Sequence, residues 1–244
     1  MQQPPTSSKE ITVNNLFPPS PVPAVPVADG SAQFPIHRIY CVGRNYAEHA
    51  REMGADPNRE PPFFFCKPAD AAVPVPVGQT LSLPYPSQTA NFHHEVELVV
   101  AIGKGGSDIA VERALDHVYG YAVGLDMTRR DLQAKMSEGR LPWEISKAFD
   151  RAAPIAPLHP VAECGHPSKV GIWLQVNGKD RQRSNTEHLI WTVPETVAHL
   201  SRFFELQAGD LIFTGTPAGV SAVVRSDIIE GGIDGLGTIK VKIV

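Results

Sequence analysis

The stretch His93-His94-Glu95-Val96-Glu97-Leu98-Val99-Val100-Ala101-Ile102-Gly103 decides how this chain folds. In a β-strand, residues two apart point to one face, so Glu95 and Glu97 aim their carboxylates in parallel while Val96 and Leu98 face the other way. The strand continues as Leu98–Ile102, apolar on both faces, which marks a central strand rather than an exposed one. Two parallel carboxylates at its mouth repel each other unless a cation sits between them. An isolated Glu-x-Glu is more often a solvated acidic face, and the pair alone does not settle the matter.

Working outward, short β-rich runs recur: RIYCVG (38–43), PFFFCKP (62–68), AVPVPV (72–77), YGYAVGLDM (119–127), VGIWLQVNG (170–178), DLIFTG (210–215) and TIKVKIV (238–244). Gly, Pro and Asn punctuate them, and Asn177-Gly178 is a hairpin signal. Helical pieces are fewer. NYAEHAREMG (45–54) predicts a short helix ending at Gly54, and VERALDHVYG (111–120) predicts another. TRRDLQAKMSEG (128–139) opens with Thr128 as N-cap and Asp131 three residues on, a relative of the capping box. TVPETVAHLSRFFEL (192–206) has Thr192 as N-cap, Pro194 in the first turn, and Val197, Leu200, Phe203 and Phe204 as its apolar positions. Strands outnumber helices and do not alternate with them, which predicts an α+β fold with sheet-on-sheet packing rather than a doubly wound one.

The N-terminal part reads differently. Residues 1–15 are polar and aperiodic, a frayed end or a short peripheral strand. LFPPSPVPAVPV (16–27) carries five of the 23 prolines, a density that restricts it to extended edge or polyproline structure. Its alternating valines favour packing on the core over service as a ligand for another domain.

The whole chain has 244 residues, 42% hydrophobic and 20% charged, as in a globular protein with a real core. Lys plus Arg total 22 against 26 Asp plus Glu, a net charge of −4, which leaves no broad basic footprint for nucleic acid or an anionic membrane. Any bound anion must be held locally, and that favours a small-molecule site. No apolar run approaches the roughly 20 residues that span a bilayer, and no basic-then-apolar signal peptide opens the chain, so a cytoplasmic protein is expected. Cys41, Cys66 and Cys164 are odd in number and show no CxxC spacing, against a disulfide framework or structural zinc. Cys41 and Cys66 lie in apolar runs and read as small buried hydrophobes.

Four constellations can carry chemistry. Asp126 ends an apolar run and offers a third oxygen beside Glu95 and Glu97, although capping a helix is its common role. Three such carboxylates form a hard, all-oxygen set suited to Mg²⁺ or Mn²⁺ and poorly to zinc, and an open face would let a 2-oxo acid chelate. His49 and Glu52, three apart, share one helical face, where a carboxylate raises imidazole basicity and fixes its tautomer for a general base. Such pairs are usually solvated, and neighbouring Glu48 should point elsewhere. Lys147 sits among Leu141, Trp143, Ile145 and Phe149, so it either snorkels out or is held inward by an anion. GDLIFTGTPAGV (209–220) is a strand running into a Gly/Pro turn whose amides and Thr216 hydroxyl could bind a carboxylate. It lacks the lysine and spacing of a P-loop.

The order of these segments is recognisable. CVGRNYAEHAREM, FFFCKP, NFHHEVELVVAIG, GYAVGLDMTRRDLQ, LPWEISKAFD, VNG and GDLIFTGTPAGV occur in one order across positions 36–244. Over that span the chain resembles the fumarylacetoacetate hydrolase family, within it most like bacterial fumarylpyruvate hydrolases. The resemblance implies a catalytic domain over 36–244 with a mixed β-roll fold, usually a homodimer, preceded by a variable segment over 1–35. It implies that Glu95, Glu97 and Asp126 hold Mg²⁺ or Mn²⁺ and that His49 with Glu52 activates water. Lys147 would face the substrate, Arg130 and Gln133 would hold its carboxylate, Thr216 would help, and Lys67 would lie near the site. The implied reaction is hydrolysis of a 2,4-dioxo acid such as 3-fumarylpyruvate to fumarate and pyruvate. Oxaloacetate decarboxylation, acylpyruvate cleavage and dienoate isomerisation use the same metal site. A metal-stabilised binding protein is the non-enzymatic rival. Whether residues 55–62 close as a lid is left open by the sequence.

Overall fold

The structure is a computed structural model that describes residues 15–52 and 60–244. All but the last residue of the frayed end expected over residues 1–15, the helix stop at Gly54 and most of the 55–62 segment lie outside the described residues. In chain order, β1 (Ala24–Pro26), β2 (Gln33–Pro35), β3 (Ile39–Gly43), α1 (Ala47–Glu52), β4 (Phe63–Lys67), β5 (Ala72–Pro74), β6 (Leu81–Leu83), β7 (Phe92–His93) and β8 (Val96–Ile102) precede β9 (Val118–Leu125). Then come β10 (Thr128–Arg129), α2 (Arg130–Glu138), α3 (Glu144–Lys147), β11 (Ala153–Ile155), β12 (His159–Pro160), α4 (Val161–Cys164), β13 (Gly171–Val176) and β14 (Lys179–Asn185). The chain closes with α5 (Val193–Leu200), β15 (Leu211–Phe213), β16 (Ala222–Val223), β17 (Ile228–Ile233) and β18 (Thr238–Ile243).

Two sheets dominate. The larger runs β4-β3-β15-β8-β9-β11-β5, with β12 added on β9, and the smaller runs β14-β13-β17-β18-β6. The larger is mixed, since β15 lies parallel to β3 and β11 parallel to β5 while β8 is antiparallel to both its neighbours. This is the α+β architecture expected of the sequence, a mixed β-roll with a few short helices. Every residue of β8 is buried, as a run apolar on both faces requires. Val96, Leu98 and Val100 pack into a cluster shared with Ile172, Leu174, Ile239 and Val241 of the second sheet. Val99 and Ala101 face a second cluster with Cys41, Ile155 and Phe213. A fully buried aliphatic side chain contributes about 1.5–3 kcal/mol, so β8 is a rigid base for whatever its mouth carries.

The Pro-rich segment supplies β1, paired antiparallel with β2, and its Val25 and Val27 are buried while Val22 is exposed. Asn177 and Gly178 join β13 to β14 with positive φ at both (52° and 73°), as a tight turn of that handedness needs. α5 opens with the full capping box between Thr192 and Glu195.

Four local expectations fail. Residues Val111–His117 form a 3₁₀ helix that passes directly into β9, because the following YGYAVGL is claimed by the sheet. Thr128 is not an N-cap: it belongs to β10, and its hydroxyl is taken by Glu95 Oε1 (3.2 Å) and the Asp126 carbonyl (3.1 Å). α5 ends at Leu200, leaving Phe203 and Phe204 beyond it and exposed. Cys66 is exposed although it sits within β4, an edge strand. Among the described residues no helix is long and apolar enough to cross a membrane.

Candidate active site and metal centre

Strand register brings the carboxylates together. β8 and β9 pair with Val96 opposite Leu125 and Glu97 opposite Gly124, so Asp126 arrives beside Glu95, and the Asp126 N–H donates to the Glu95 carbonyl at 2.9 Å. Oxygens of Glu95, Glu97 and Asp126 lie within 4.8 Å of one another, and all three residues are buried. The turn after β15 closes the same end of the sheet, where the Gly215 N–H donates to Glu97 Oε2 at 2.7 Å and the Thr216 hydroxyl donates to the Val96 carbonyl at 2.8 Å.

Cations surround the carboxylates. Lys147, carried by α3, spans Glu95 Oε2 (2.9 Å) and Asp126 Oδ2 (2.7 Å). Lys67 at the end of β4 pairs with Asp126 Oδ1 at 2.8 Å and also donates to the Lys147 carbonyl. Arg130, the first residue of α2, donates to Glu95 Oε1 and to Gln133 Oε1. Lys147 is 2% exposed, so it does not snorkel out; it is held inward.

These contacts split the acids. Burial opposes charge on Glu95, but Lys147 and Arg130 outweigh it and hold the carboxyl below the usual carboxylate range. Burial, then repulsion from Asp126 and Glu95, pushes Glu97 well above that range. Burial would lower Lys147, yet Asp126 and Glu95 more than reverse this and raise it. The centre therefore carries an acid that resists ionising until more positive charge arrives.

His49 is 6% exposed in the same cleft, its Nδ1 3.2 Å from Glu52 Oε2. Burial lowers its pKa, with Glu95 and Glu52 pulling the other way, so the imidazole is neutral at pH 7. With Glu52 accepting from Nδ1–H, Nε2 is left as the basic nitrogen. Glu52 is itself steadied by the Gly219 N–H, 3.2 Å from Oε2. Gly219 has φ +97°, and a Cβ there would fall 1.9 Å from the Arg181 carbonyl oxygen, so only glycine fits the turn.

Residues 38–244 match the fumarylacetoacetate (FAA) hydrolase C-terminal family. The chain belongs to the fumarylacetoacetate hydrolase family. Among its relatives, the mitochondrial oxaloacetate tautomerase of Rattus norvegicus is 40% identical over 205 residues, covering 84% of this chain and 90% of that one. The mitochondrial oxaloacetate decarboxylase of Dictyostelium discoideum is 41% identical, covering 82% and 90%. Among solved structures, fumarylpyruvate hydrolase from Pseudomonas aeruginosa, crystallised with Mn²⁺ and pyruvate, is 63% identical with a TM-score of 0.93, covering 95% of this chain and 99% of that one.

The family's metal fits the residues present. Three buried carboxylates with converging oxygens and no nitrogen or sulfur donor form a hard set of the kind Mg²⁺ and Mn²⁺ take, and the raised Glu97 acid marks a place where added positive charge is favoured. All ten residues singled out in the sequence meet here. Glu95, Glu97, Asp126, His49, Arg130, Gln133, Lys147 and Thr216 line one cleft, Glu52 backs His49, and Lys67 backs Asp126. Glu48, by contrast, is exposed and lies on the outer side of α1. Arg44, Phe65 and Trp143 also line the cleft and were not singled out. Trp143 lies in the segment that carries Lys147, so its position there was the only available signal. Behind Thr216, buried His94 bonds Gln182 Oε1 and Ser221 Oγ at 3.0 Å each, and burial pushes its pKa down to about 4.

Proposed function

We propose that the chain is a metal-dependent hydrolase that cleaves the C3–C4 bond of a 2,4-dioxo acid, with 3-fumarylpyruvate as substrate and fumarate and pyruvate as products. The observation that carries this reading is the presence of a neutral, carboxylate-backed imidazole in the same cleft as the three-carboxylate centre. Decarboxylation of a 2-oxo acid needs no base for water, whereas hydrolysis does; a tautomerase would use the same base on a carbon-bound proton, and the substrate panel below separates it. The solved relative's Mn²⁺ and pyruvate support the same choice.

Glu95, Glu97 and Asp126 would hold Mg²⁺ or Mn²⁺, which would supply Lewis acidity toward the 2-oxo acid end of the substrate, the end that carries its carboxylate. Arg130 and Gln133 orient that carboxylate, assisted by Thr216, while Lys67 fixes Asp126 from behind. His49 Nε2 takes a proton from water, and Glu52 keeps the ring in the required tautomer. The oxygen adds to C4, and Lys147 faces the oxyanion that forms there. The C3–C4 pair then passes to C3, and His49 returns its proton to that carbon, completing pyruvate. The resemblance also supports residues 36–244 as the catalytic domain, 1–35 as a variable segment onto which β1 and β2 are built, and a cytoplasmic homodimer as the working form.

The tautomerase and decarboxylase relatives define the second reading, in which oxaloacetate is the substrate. Purified protein with Mg²⁺ or Mn²⁺ is to be offered 3-fumarylpyruvate, acetylpyruvate and oxaloacetate, following pyruvate and fumarate release. Fumarylpyruvate should be cleaved fastest, and EDTA should stop the reaction while the fold persists. Turnover of oxaloacetate with none of fumarylpyruvate would overturn the proposal in favour of the second reading.

A further inference from the structure

Phe65 and Trp143 line one wall of the cleft, Phe63 packs behind them, and a cation stands at each end of the three rings. At the inner end, Lys147 Nζ sits 5.2 Å from the centre of the Phe65 ring. Phe65 stacks at a tilt on Trp143 (5.7 Å), and Trp143 meets Phe63 edge-on (5.1 Å). At the outer end, the Arg44 guanidinium lies 5.7 Å over Phe63. The two cations differ in one respect. Lys147 is saturated by Glu95 and Asp126, whereas Arg44, at the cleft mouth, pairs with no carboxylate among the described residues.

Arg44 also holds a backbone conformation that its side chain does not favour. Its φ is 58°, in the left-handed region where a non-glycine residue costs on the order of 1 kcal/mol. The residue follows β3 directly, and a chain continuing in extended geometry would carry the side chain on with the strand's alternation. Instead Arg44 turns at the strand end, on the rim of the same cleft as the metal centre.

We infer that Arg44, Phe65 and Trp143, with Phe63 packed behind them, form a distal subsite for a flat, unsaturated acyl chain ending in a carboxylate. The flat chain lies along the ring track, where faces and edges of aromatic side chains accept a conjugated system. Its terminal carboxylate meets the guanidinium fork, whose geometry matches two oxygens at once. The metal centre, with Arg130 and Gln133, takes the 2-oxo acid end, so the cleft reads both ends of a dicarboxylate. This rests on the reading of the centre as a 2-oxo acid site, and it assigns the residues that select the acyl group at the far end.

The test measures binding rather than turnover, so the two readings fail separately. With Mn²⁺-loaded protein, calorimetry gives dissociation constants for 2-oxoheptanedioate, which has a terminal carboxylate, and for 2-oxoheptanoate, which lacks one. The wild-type protein should prefer the dioate by about 5- to 10-fold, the scale of one charge-assisted contact that stays partly wet. Arg44→Met, which keeps the stem over Phe63, should abolish the preference and leave 2-oxoheptanoate binding within about 2-fold. Arg44→Lys should recover part of it. Equal binding of the two acids by the wild-type protein, or a preference that survives Arg44→Met, would overturn the subsite. If the preference behaves as expected but fumarylpyruvate is not cleaved, the subsite stands and the hydrolase reading falls.

Discussion

Replacing Lys147 by Met separates the metal centre from the fold that carries it. In the metal-free chain Lys147 makes two buried charge-assisted hydrogen bonds, to Glu95 Oε2 at 2.9 Å and Asp126 Oδ2 at 2.7 Å. Such bonds are worth about 1.5–3 kcal/mol each. The low end applies, because Glu95 keeps Arg130 and Asp126 keeps Lys67 after the change. The loss is therefore about 3 kcal/mol. Unfolding entropy near 2.1 cal/mol/K per residue over 244 residues is about 0.5 kcal/mol/K, so Tm should fall by roughly 6 °C. With saturating Mn²⁺ the outcome changes. The ion supplies the missing positive charge and no longer competes with an ammonium for the same two oxygens. The Mn²⁺-induced rise in Tm should then be larger in Lys147→Met than in the wild type, closing most of the gap. Turnover should still fall by about 10²–10³-fold, since Mn²⁺ does not replace a donor aimed at the oxyanion. Differential scanning fluorimetry with EDTA and with Mn²⁺, beside a pyruvate-release assay, reads all three. An equal drop in Tm with and without Mn²⁺ would refute the reasoning, because Lys147 would then be acting through packing.

Four further outcomes are expected. His49→Ala should keep Mn²⁺ affinity, measured by titration calorimetry, while losing about 10²–10⁴-fold in kcat, the usual share of a general base; wild-type turnover at full metal occupancy would remove His49 from that role. Since burial sets His49 below 6.5, the acid limb of kcat should lie below pH 6.5, with the base neutral and active above it. Glu52→Gln removes a group that raises His49, so the limb should move further down as kcat drops; an upward move would contradict the assigned pair. Gly219→Ala places a methyl group 1.9 Å from the Arg181 carbonyl oxygen at φ +97°, costing about 1–3 kcal/mol of stability by urea unfolding. It should also lower kcat more than it alters KM, because the displaced turn releases Glu52.

Much of this was legible because it is local. β8 declares itself by being apolar on both faces, its two glutamates share a face by the period of two, and Asn177-Gly178 and Thr192–Glu195 carry their geometry within four residues. Thr128 was misread because the same residue type that caps a helix is drawn by a tertiary bond to Glu95. Val111–His117 has a helical pattern, but the sheet claims the residues after it and stops an α-helix from forming. The cleft wall left no local signal at all. Phe63 and Phe65 come from one edge strand and Trp143 from a turn about 80 residues on, and only the fold stacks them. Cys66, which follows Phe65 on the same edge strand, is exposed.

Three cations buried around three carboxylates are hard to explain as a stabilising device. Withdrawing an ammonium or a guanidinium from water costs several kcal/mol, and well-packed apolar residues of similar size commonly do as well or better. Stability alone would favour replacing the carboxylates and the cations together by packed apolar residues, rather than keeping both sets. Nor does a resident metal ion require them, since positive charges beside its ligands weaken its binding. The cluster is accounted for if an anion must enter the same cleft. Lys147 and Arg130 both line it, and each is already held at a fixed oxygen before any substrate arrives, so little reorganisation remains to be done when negative charge develops there. Lys67 lies behind Asp126 and holds that carboxylate aimed inward. The charges that make this centre costly to fold are the ones that suit it to a doubly oxygenated, negatively charged substrate.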